Sequence, residues 1–343
     1  MYRNFVVLTA FLAFAVIVLG AYVRLSDAGL GCPDWPGCYG EATPGQAAKD
    51  IAAAEAMKPQ GPVTLHKAWK EMTHRYFAST LGLFIVAIAI VAWLKRAELK
   101  QSPALPFALV SLVIFQGLLG MWTVTLLLKP AVVTAHLLGG MTTLALLNWL
   151  ALGQFQGRGV TGIIAPLSTR WLAGIGVMVL AVQIALGGWV SSNYAGLACP
   201  DFPLCRGALL PQMGLANASH LVRELGMTAE GEFPSRETLT AIHWIHRVGA
   251  LVTLLVLGLL AWRLATSPAY RTSGKWLALL LTLQLSLGVA NVFLRLPLVL
   301  AVAHNAGAAL LIVTMVTINF NLYRMDNEAK QSIPQRARSA VSR

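Results

Sequence analysis

Charged side chains are scarce in this chain of 343 residues: Asp, Glu, Lys and Arg make up 12% of it, and hydrophobic residues 57%. Soluble domains carry about 25% charged residues. So little charge excludes an ordinary soluble domain and makes lipid the main solvent. Negative charge is scarcer than positive charge, with 14 Asp and Glu against 26 Lys and Arg. The basic residues lie between the hydrophobic runs rather than in one cluster, which favours membrane orientation over binding of nucleic acid.

The apolar segments also lack period-two alternation. Strands of a membrane barrel alternate over about 10 residues, whereas these runs are unbroken and roughly twice that length. They predict an all-α, polytopic membrane protein with eight transmembrane helices. The runs cover residues 5–25, 72–94, 105–128, 131–152, 170–190, 239–264, 276–294 and 298–322.

Charge also predicts the orientation of these helices. The short segments between alternate runs, together with both chain ends, are rich in Lys and Arg and poor in acids, so both termini are expected in the cytoplasm. Loops 26–70 and 191–238 hold most acids and are expected outside. No small-x-small cleavage site follows the first run, which is longer than a signal-peptide core, so we expect a retained helix.

An internal repeat organises the chain. The segment AGLGCPDWPGCYG at 28–40 matches AGLACPDFPLCRG at 195–207, and FQGLLG at 115–120 matches LQLSLG at 283–288. The repeat predicts two four-helix halves, 1–155 and 168–325, followed by a cytoplasmic basic tail at 326–343. An even number of spans gives both halves one orientation, related by an axis along the membrane normal.

The chain has seven histidines, and four of them fall one each in the second, fourth, sixth and eighth predicted helices. Ionisable groups within a span are costly and usually functional. The four are related by the repeat, with His74 matching His246 and His136 matching His304. His66 and His220 are expected on the surface of the outer loops; contact of His66 with a heme propionate or an electron donor is the alternative.

The four intramembrane histidines are predicted to lie at one depth. His136 follows Pro130 by six residues, and His304 follows Pro297 by seven, which places both roughly 10 Å from the outer helix end. Two facing helices with one histidine each form a bis-histidine clamp for heme iron. Zinc or iron without porphyrin would need three or four ligands with carboxylates, and each half offers two histidines.

The two halves differ beside this clamp. Glu71 lies three residues before His74 on the same helical face, and the matching position holds His243. A carboxylate at this depth suits proton handling or the stabilisation of a cation; the alternative is a salt bridge to Lys67, Lys70 or Arg75. Arg75 and its repeat partner Arg247 are expected either to contact heme propionates or to extend to the membrane surface.

Only four cysteines are present, as Cys32 with Cys38 and Cys199 with Cys205, each pair in an outer loop. Disulfides form outside a bacterial inner membrane. The spacing is compatible with a structural bridge in each loop, with a redox-active pair, or with free thiols. A shared zinc site is disfavoured because the pairs belong to separate loops.

These motifs resemble the heme A synthase family over about residues 5–322. The resemblance is carried by GAYVRLSDAGLGCPDWPGC at 20–38, EMTHR at 71–75, His136, and the repeated His246-Arg247 and His304. It implies oxidation of heme O to heme A for terminal oxidases, with the C8 methyl converted to a formyl group by successive hydroxylations and the oxygen taken from water.

The resemblance also implies roles for individual residues. His246 and His304 would ligate a permanent heme b, and His74 and His136 would lie at the iron of the substrate, heme O. Glu71 matches the essential carboxylate, Cys32 and Cys38 match the redox pair, and Cys199 and Cys205 match a structural disulfide. The expected location is the bacterial inner membrane.

Expected partners are heme O, the heme O synthase (a protoheme farnesyltransferase) and an unidentified electron acceptor; a homo-oligomer is compatible with the sequence. Two other functions use the same histidines: a quinol-linked di-heme electron-transfer cytochrome, and a heme transporter or chaperone. Glu71, which has no carboxylate equivalent in the second half, favours an enzyme over both.

Overall fold

A computed structural model describes residues 1–59, 61–99, 101–155, 165–221, 224–227 and 233–341, with side chains described to residue 324. The described chain forms helices and no β-strand. The helices are α1 Tyr2–Leu25, α2 Ala48–Met57, α3 Leu65–Leu94, α4 Arg96–Leu99, α5 Ala104–Thr125, α6 Pro130–Gly153, α7 Leu167–Ser192, α8 Leu215–Ala218, α9 Arg236–Thr266, α10 Arg271–Phe293 and α11 Leu298–Val341.

Eight of these helices are long and apolar enough to cross a membrane: α1, α3, α5, α6, α7, α9, α10 and residues 298–324 of α11. The prediction of an all-α, multi-pass membrane protein with eight spans is therefore confirmed. Parts of the segments used to predict orientation, including 156–164, 228–232 and the side chains of the 326–343 tail, lie outside the described residues.

The third helix begins earlier than its apolar run predicted, at Leu65 rather than at residue 72. Thr64 caps it, because its side-chain oxygen accepts a hydrogen bond from the Lys67 backbone N–H at 3.2 Å. The expectation that His66 lies in a loop was therefore wrong: His66 is exposed in the first turn of α3. His220 is exposed after α8, in a loop as predicted.

Packing between helices follows the same order in the two repeats. In the first, α1 and α5 each pack on α3 and α6; in the second, α7 and α10 each pack on α9 and α11. Among the described residues, α3 and α6 make no extensive contact with each other, and neither do α9 and α11. The histidine-bearing helices of each repeat are therefore separated by the other two.

The repeats contact each other through α1 and α6 on one side and α7 and α11 on the other. Near the ends of α1 and α7 the Arg24 guanidinium donates to the Ser191 carbonyl at 2.8 Å and lies 4.5 Å from the Tyr194 ring centroid. The Tyr194 hydroxyl donates to Asp27 at 3.1 Å. Asp27 and Tyr194 are equivalent positions of the repeat, so like positions of the two halves meet here.

Candidate functional site

The four histidines lie one each in α3, α6, α9 and α11, which are four of the eight helices long and apolar enough to cross a membrane. His136 is six residues into α6, and His304 is six residues into α11, about 9 Å from each helix start. His74 and His246 lie nine and ten residues into α3 and α9, about 14–15 Å by the same rise. His74 is close enough to His136 for their charges to interact, as is His246 to His304. The structure thus brings together the two pairs that the repeat predicted.

Each histidine ring packs against a glycine of the helix beside it. A Cβ added at Gly20 would lie 2.9 Å from Cε1 of His74, and one at Gly187 would lie 3.2 Å from Cε1 of His246. The corresponding distances are 3.5 Å for Gly120 and His136 and 3.1 Å for Gly288 and His304. Glycine therefore lets all four imidazoles lie directly against a neighbouring helix backbone.

Three glutamines, which the sequence did not lead us to select, contact these histidines. The Gln183 amide nitrogen lies 3.1 Å from Nδ1 of His246 and donates to the His246 backbone carbonyl at 3.1 Å. Gln284 lies 3.5 Å from Nε2 of His304. With the amide assigned from its hydrogen-bond network, Gln116 lies 3.0 Å from Nδ1 of His136 and donates to the His136 carbonyl at 3.1 Å.

A sequence signal for these glutamines exists in hindsight. Each lies four residues before the glycine that contacts the same histidine, as QGLLG at 116–120, QIALG at 183–187 and QLSLG at 284–288. Four residues are about one helical turn, so amide and glycine share a helix face. The matching segment of α1 is VIVLG at 16–20, with Val16 in place of glutamine.

The donor set fits heme better than a bare metal ion. Within the described residues, no three His, Cys, Asp or Glu side chains form a metal-binding group. Paired neutral imidazoles suit an iron porphyrin, because the macrocycle supplies the remaining nitrogen ligands. Every residue from 131 to 140 in α6, His136 included, is partly accessible. His74 with His136, and His246 with His304, are therefore the residues that would ligate heme iron.

Glu71 lies in a buried network between α3 and the first cysteine loop. Its side chain is 5% exposed, and its Oε1 pairs with the Arg75 guanidinium at 2.6 Å. Its Oε2 accepts a hydrogen bond from the Cys32 backbone N–H at 3.0 Å. Of the three predicted salt-bridge partners the structure selects Arg75, and the pair is buried rather than at the surface. The carboxylate thereby connects the helix of His74 to the first cysteine loop.

His243 occupies the equivalent position with the opposite hydrogen-bonding role. It is buried, and its Nδ1 lies 3.0 Å from the Ala195 carbonyl oxygen. The His243 ring donates a hydrogen bond to this carbonyl, whereas the Glu71 carboxylate accepts hydrogen bonds from Arg75 and the Cys32 N–H. The second repeat therefore has no acidic group at this position.

The two arginines hold the cysteine loops against the helices. Arg75 donates to the carbonyls of Asp34, at 2.8 Å, and Gly37, at 2.6 Å. Arg247 donates to the carbonyls of Asp201, at 2.8 Å, and Leu204, at 2.7 Å. Neither predicted role, propionate contact or extension to the surface, anticipated this. Contact with a propionate stays a prediction for both.

Both cysteine pairs form disulfides, with Cα–Cα distances of 5.0 Å for Cys32–Cys38 and 4.7 Å for Cys199–Cys205. In each loop an aspartate accepts two backbone N–H groups: Asp34 from Tyr39 and Gly40, and Asp201 from Arg206 and Gly207. The hydrogen bond from Gly207, followed by that from Arg206, holds the pKa of the Asp201 carboxyl below its ordinary value. The structure thus removes the free-thiol alternative and leaves the structural and redox roles.

Comparison with known proteins places this chain in a family. Residues 3–316 match the family described as COX15-CtaA, cytochrome oxidase assembly protein. A heme A synthase of Shewanella oneidensis is 42% identical over 331 residues, which cover 94% of this chain and 97% of that protein. A heme A synthase of Alkalihalophilus pseudofirmus is 29% identical over 87% of this chain and 89% of that protein. A heme A synthase of Rhizorhabdus wittichii is 28% identical over 91% of each chain. The resemblance suggested by the repeated histidines is confirmed, and the chain belongs to the COX15-CtaA family of cytochrome oxidase assembly proteins.

Proposed function

We propose that this protein oxidises the C8 methyl group of heme O to a formyl group, which gives heme A. The observation that carries the proposal is the duplicated histidine pair with a buried carboxylate beside only one copy. Relatives that match nearly the whole chain bear the name heme A synthase. An eight-helix membrane protein also suits a substrate with a farnesyl tail, which reaches its site from the bilayer.

The conversion consumes one water and releases four electrons: R–CH3 + H2O gives R–CHO + 4 H⁺ + 4 e⁻. The first repeat holds the substrate, with His74 and His136 at the iron of heme O. In the second repeat His246 and His304 hold a permanent heme b, which supplies one-electron acceptor chemistry when bound. Division of the chain into halves 1–155 and 168–325 is part of this proposal. The final electron acceptor is a separate molecule.

Glu71 is the catalytic residue of the proposal. Its buried carboxylate, held by Arg75 and the Cys32 backbone N–H, places negative charge at the outer end of the first site. Carboxylate oxygens keep lone pairs beyond these two contacts. They are available to stabilise positive charge at the oxidised methyl group or to accept one of the protons released. His243 offers no such charge to the second site.

The location and partners follow from the same proposal. Both termini lie in the cytoplasm, and the disulfide loops lie outside a bacterial inner membrane, where the oxidised state of four cysteines is stable. Heme O synthase delivers the substrate, and assembly into a homo-oligomer is compatible with the exposed apolar helix faces.

One assay tests the activity. The purified protein in detergent receives heme O and an electron acceptor, and the extracted hemes are separated and weighed by mass spectrometry. The hydroxymethyl and formyl products are expected in sequence. Bound heme b without conversion would instead identify a di-heme cytochrome. A transporter or chaperone would instead bind heme loosely, would not convert it and would retain no second heme.

A further inference from the structure

The four histidines are not supported alike. Three of them have a glutamine amide against the ring, supplied by QGLLG, QIALG and QLSLG, and His74 has Val16 at that position. Nδ1 is buried without a hydrogen bond of normal geometry to the described residues in both His74 and His304. The His304 ring still has the Gln284 amide 3.5 Å from its other nitrogen, whereas the His74 ring lies near the Val16 backbone carbonyl and has no side-chain amide beside it. The surroundings of His74 therefore differ from those of the other three histidines.

A second difference coincides with the first. Three residues after His136, His246 and His304 the chain has glycine, at 139, 249 and 307, and three residues after His74 it has Phe77. A Cβ on any of the three glycines would overlap the amide of Gln116, Gln183 or Gln284 respectively. Glutamine and glycine thus form a matched pair, because the amide occupies the space that a side chain would fill. Where the glutamine is valine, the glycine is also replaced.

The amides are suited to fix the imidazoles. Gln183 contacts both the ring and the backbone carbonyl of His246, so it limits rotation of the ring relative to its own helix. Once one ring nitrogen of a histidine binds iron, the other carries a proton and needs an acceptor. The amide lies at Nδ1 of His136 and His246 and at Nε2 of His304. The Oε1 atoms of Gln183 and Gln284 are buried without a hydrogen-bond partner among the described residues. A half-turn of the amide supplies that acceptor.

We propose that Gln116, Gln183 and Gln284 are positioning residues for axial heme ligands, and that Val16 with Phe77 leaves His74 as the one exchangeable ligand. This inference rests on the heme ligation proposed above. It gives the permanent heme two fixed histidines and the substrate site one fixed and one free. A substrate site must release its product after each turnover, whereas a permanent cofactor must stay bound.

The first arm of the test weakens the second site. Q183V introduces the residue of the first repeat, and G249A leaves Gln183 intact but displaces its amide. T253V is the control, since Thr253 is a buried polar residue of the same helix whose hydroxyl donates to the Gly249 carbonyl at 2.8 Å. We expect Q183V and G249A to release heme b to apomyoglobin at least about tenfold faster. The low-spin electron paramagnetic resonance signal should shift, and carbon monoxide should bind a larger fraction.

The second arm strengthens the first site. V16Q/F77G introduces both the glutamine and the glycine beside His74. V16Q and F77G alone are the controls, because V16Q leaves no space for the amide and F77G provides the space without an amide. After turnover with heme O, the double variant should release heme to apomyoglobin about tenfold more slowly than the wild type. Neither single variant should do so.

The possible results distinguish a failure of the positioning role from a failure of the proposed function. If the wild-type protein bound no heme, the proposed function itself would fail. If it bound heme normally but Q183V and G249A kept wild-type spectra and release rates, the positioning role would be overturned. Should Q183V fail to accumulate in membranes, G249A decides the same question, because Ala in place of Gly favours the helix.

Discussion

The two repeats share a framework and differ in a few buried side chains. Both place a histidine pair below a disulfide loop, and both fasten that loop with an arginine and an aspartate. The first repeat has Glu71 and Val16 where the second has His243 and Gln183. The repeats therefore share the residues that fasten the disulfide loops and differ in buried residues beside the histidines. Under the proposed function, this difference gives the reaction to the first repeat and permanent heme binding to the second.

The largest expected effect tests which copy retains its heme. His246→Ala should abolish retention of heme b by the purified protein. This loss should exceed the roughly 10- to 100-fold loss of affinity that is typical when a residue supporting a ligand is changed, which is the scale expected for the glutamines. His74→Ala should leave that heme in place, because His74 belongs to the other pair. Heme content per protein, measured as the pyridine hemochrome, checks both variants. Equal loss in the two would mean that the repeats do not bind heme independently.

The second effect concerns the carboxylate. Glu71→Ala should lower conversion of heme O by at least about 100-fold while heme b is retained, because removal of an acid–base or charge-stabilising group costs this much. His243→Ala should leave conversion close to the wild-type rate. Extracted hemes are quantified for both, with Glu71→Gln as the control that keeps the hydrogen-bonding shape without the charge. Full activity in Glu71→Gln would disprove the role of the charge.

The disulfides should differ in function but not in stability. Each bridge closes a loop of five intervening residues, which is worth about 2 kcal/mol by loop-closure entropy. C32S/C38S and C199S/C205S should therefore lower the thermal midpoint by similar amounts. Conversion should fall mainly in C32S/C38S, since Glu71 accepts its hydrogen bond from the Cys32 N–H. A matched loss of conversion in both variants would point to a structural role for each bridge.

The smallest effect lies in the second loop and depends on pH. Because hydrogen bonds from Gly207 and Arg206 lower the pKa of Asp201 in the folded protein, its stabilisation is present above the ordinary Asp pKa. It is lost as the pH falls through the lower, folded value. The thermal midpoint of wild type should thus decrease below about pH 4 more than that of Asp201→Asn. Parallel curves for the two proteins would contradict this contribution.

Much of the fold was predictable because lipid imposes a simple rule on sequence. A helix must cross the hydrocarbon with about 20 apolar residues, so eight runs gave eight spans. The start of α3 was missed because its first turn is polar and is set by the Thr64 cap rather than by apolar residues. In the site, the histidine pairs followed from the repeat. The glutamine amides were missed, since a lone glutamine in an apolar run does not reveal which ring it touches.

The sequence by itself determined the number of spans, the equivalence of the two histidine pairs and the single carboxylate, because apolar length and internal repetition are properties of the chain order. Only the tertiary structure decided that Arg75 and Arg247 bind loop carbonyls, that Glu71 reaches the Cys32 N–H, and that three histidines have an amide and one does not. Those contacts join residues on different helices. They depend on how neighbouring helices pack and rotate against each other, which no periodicity along one helix specifies.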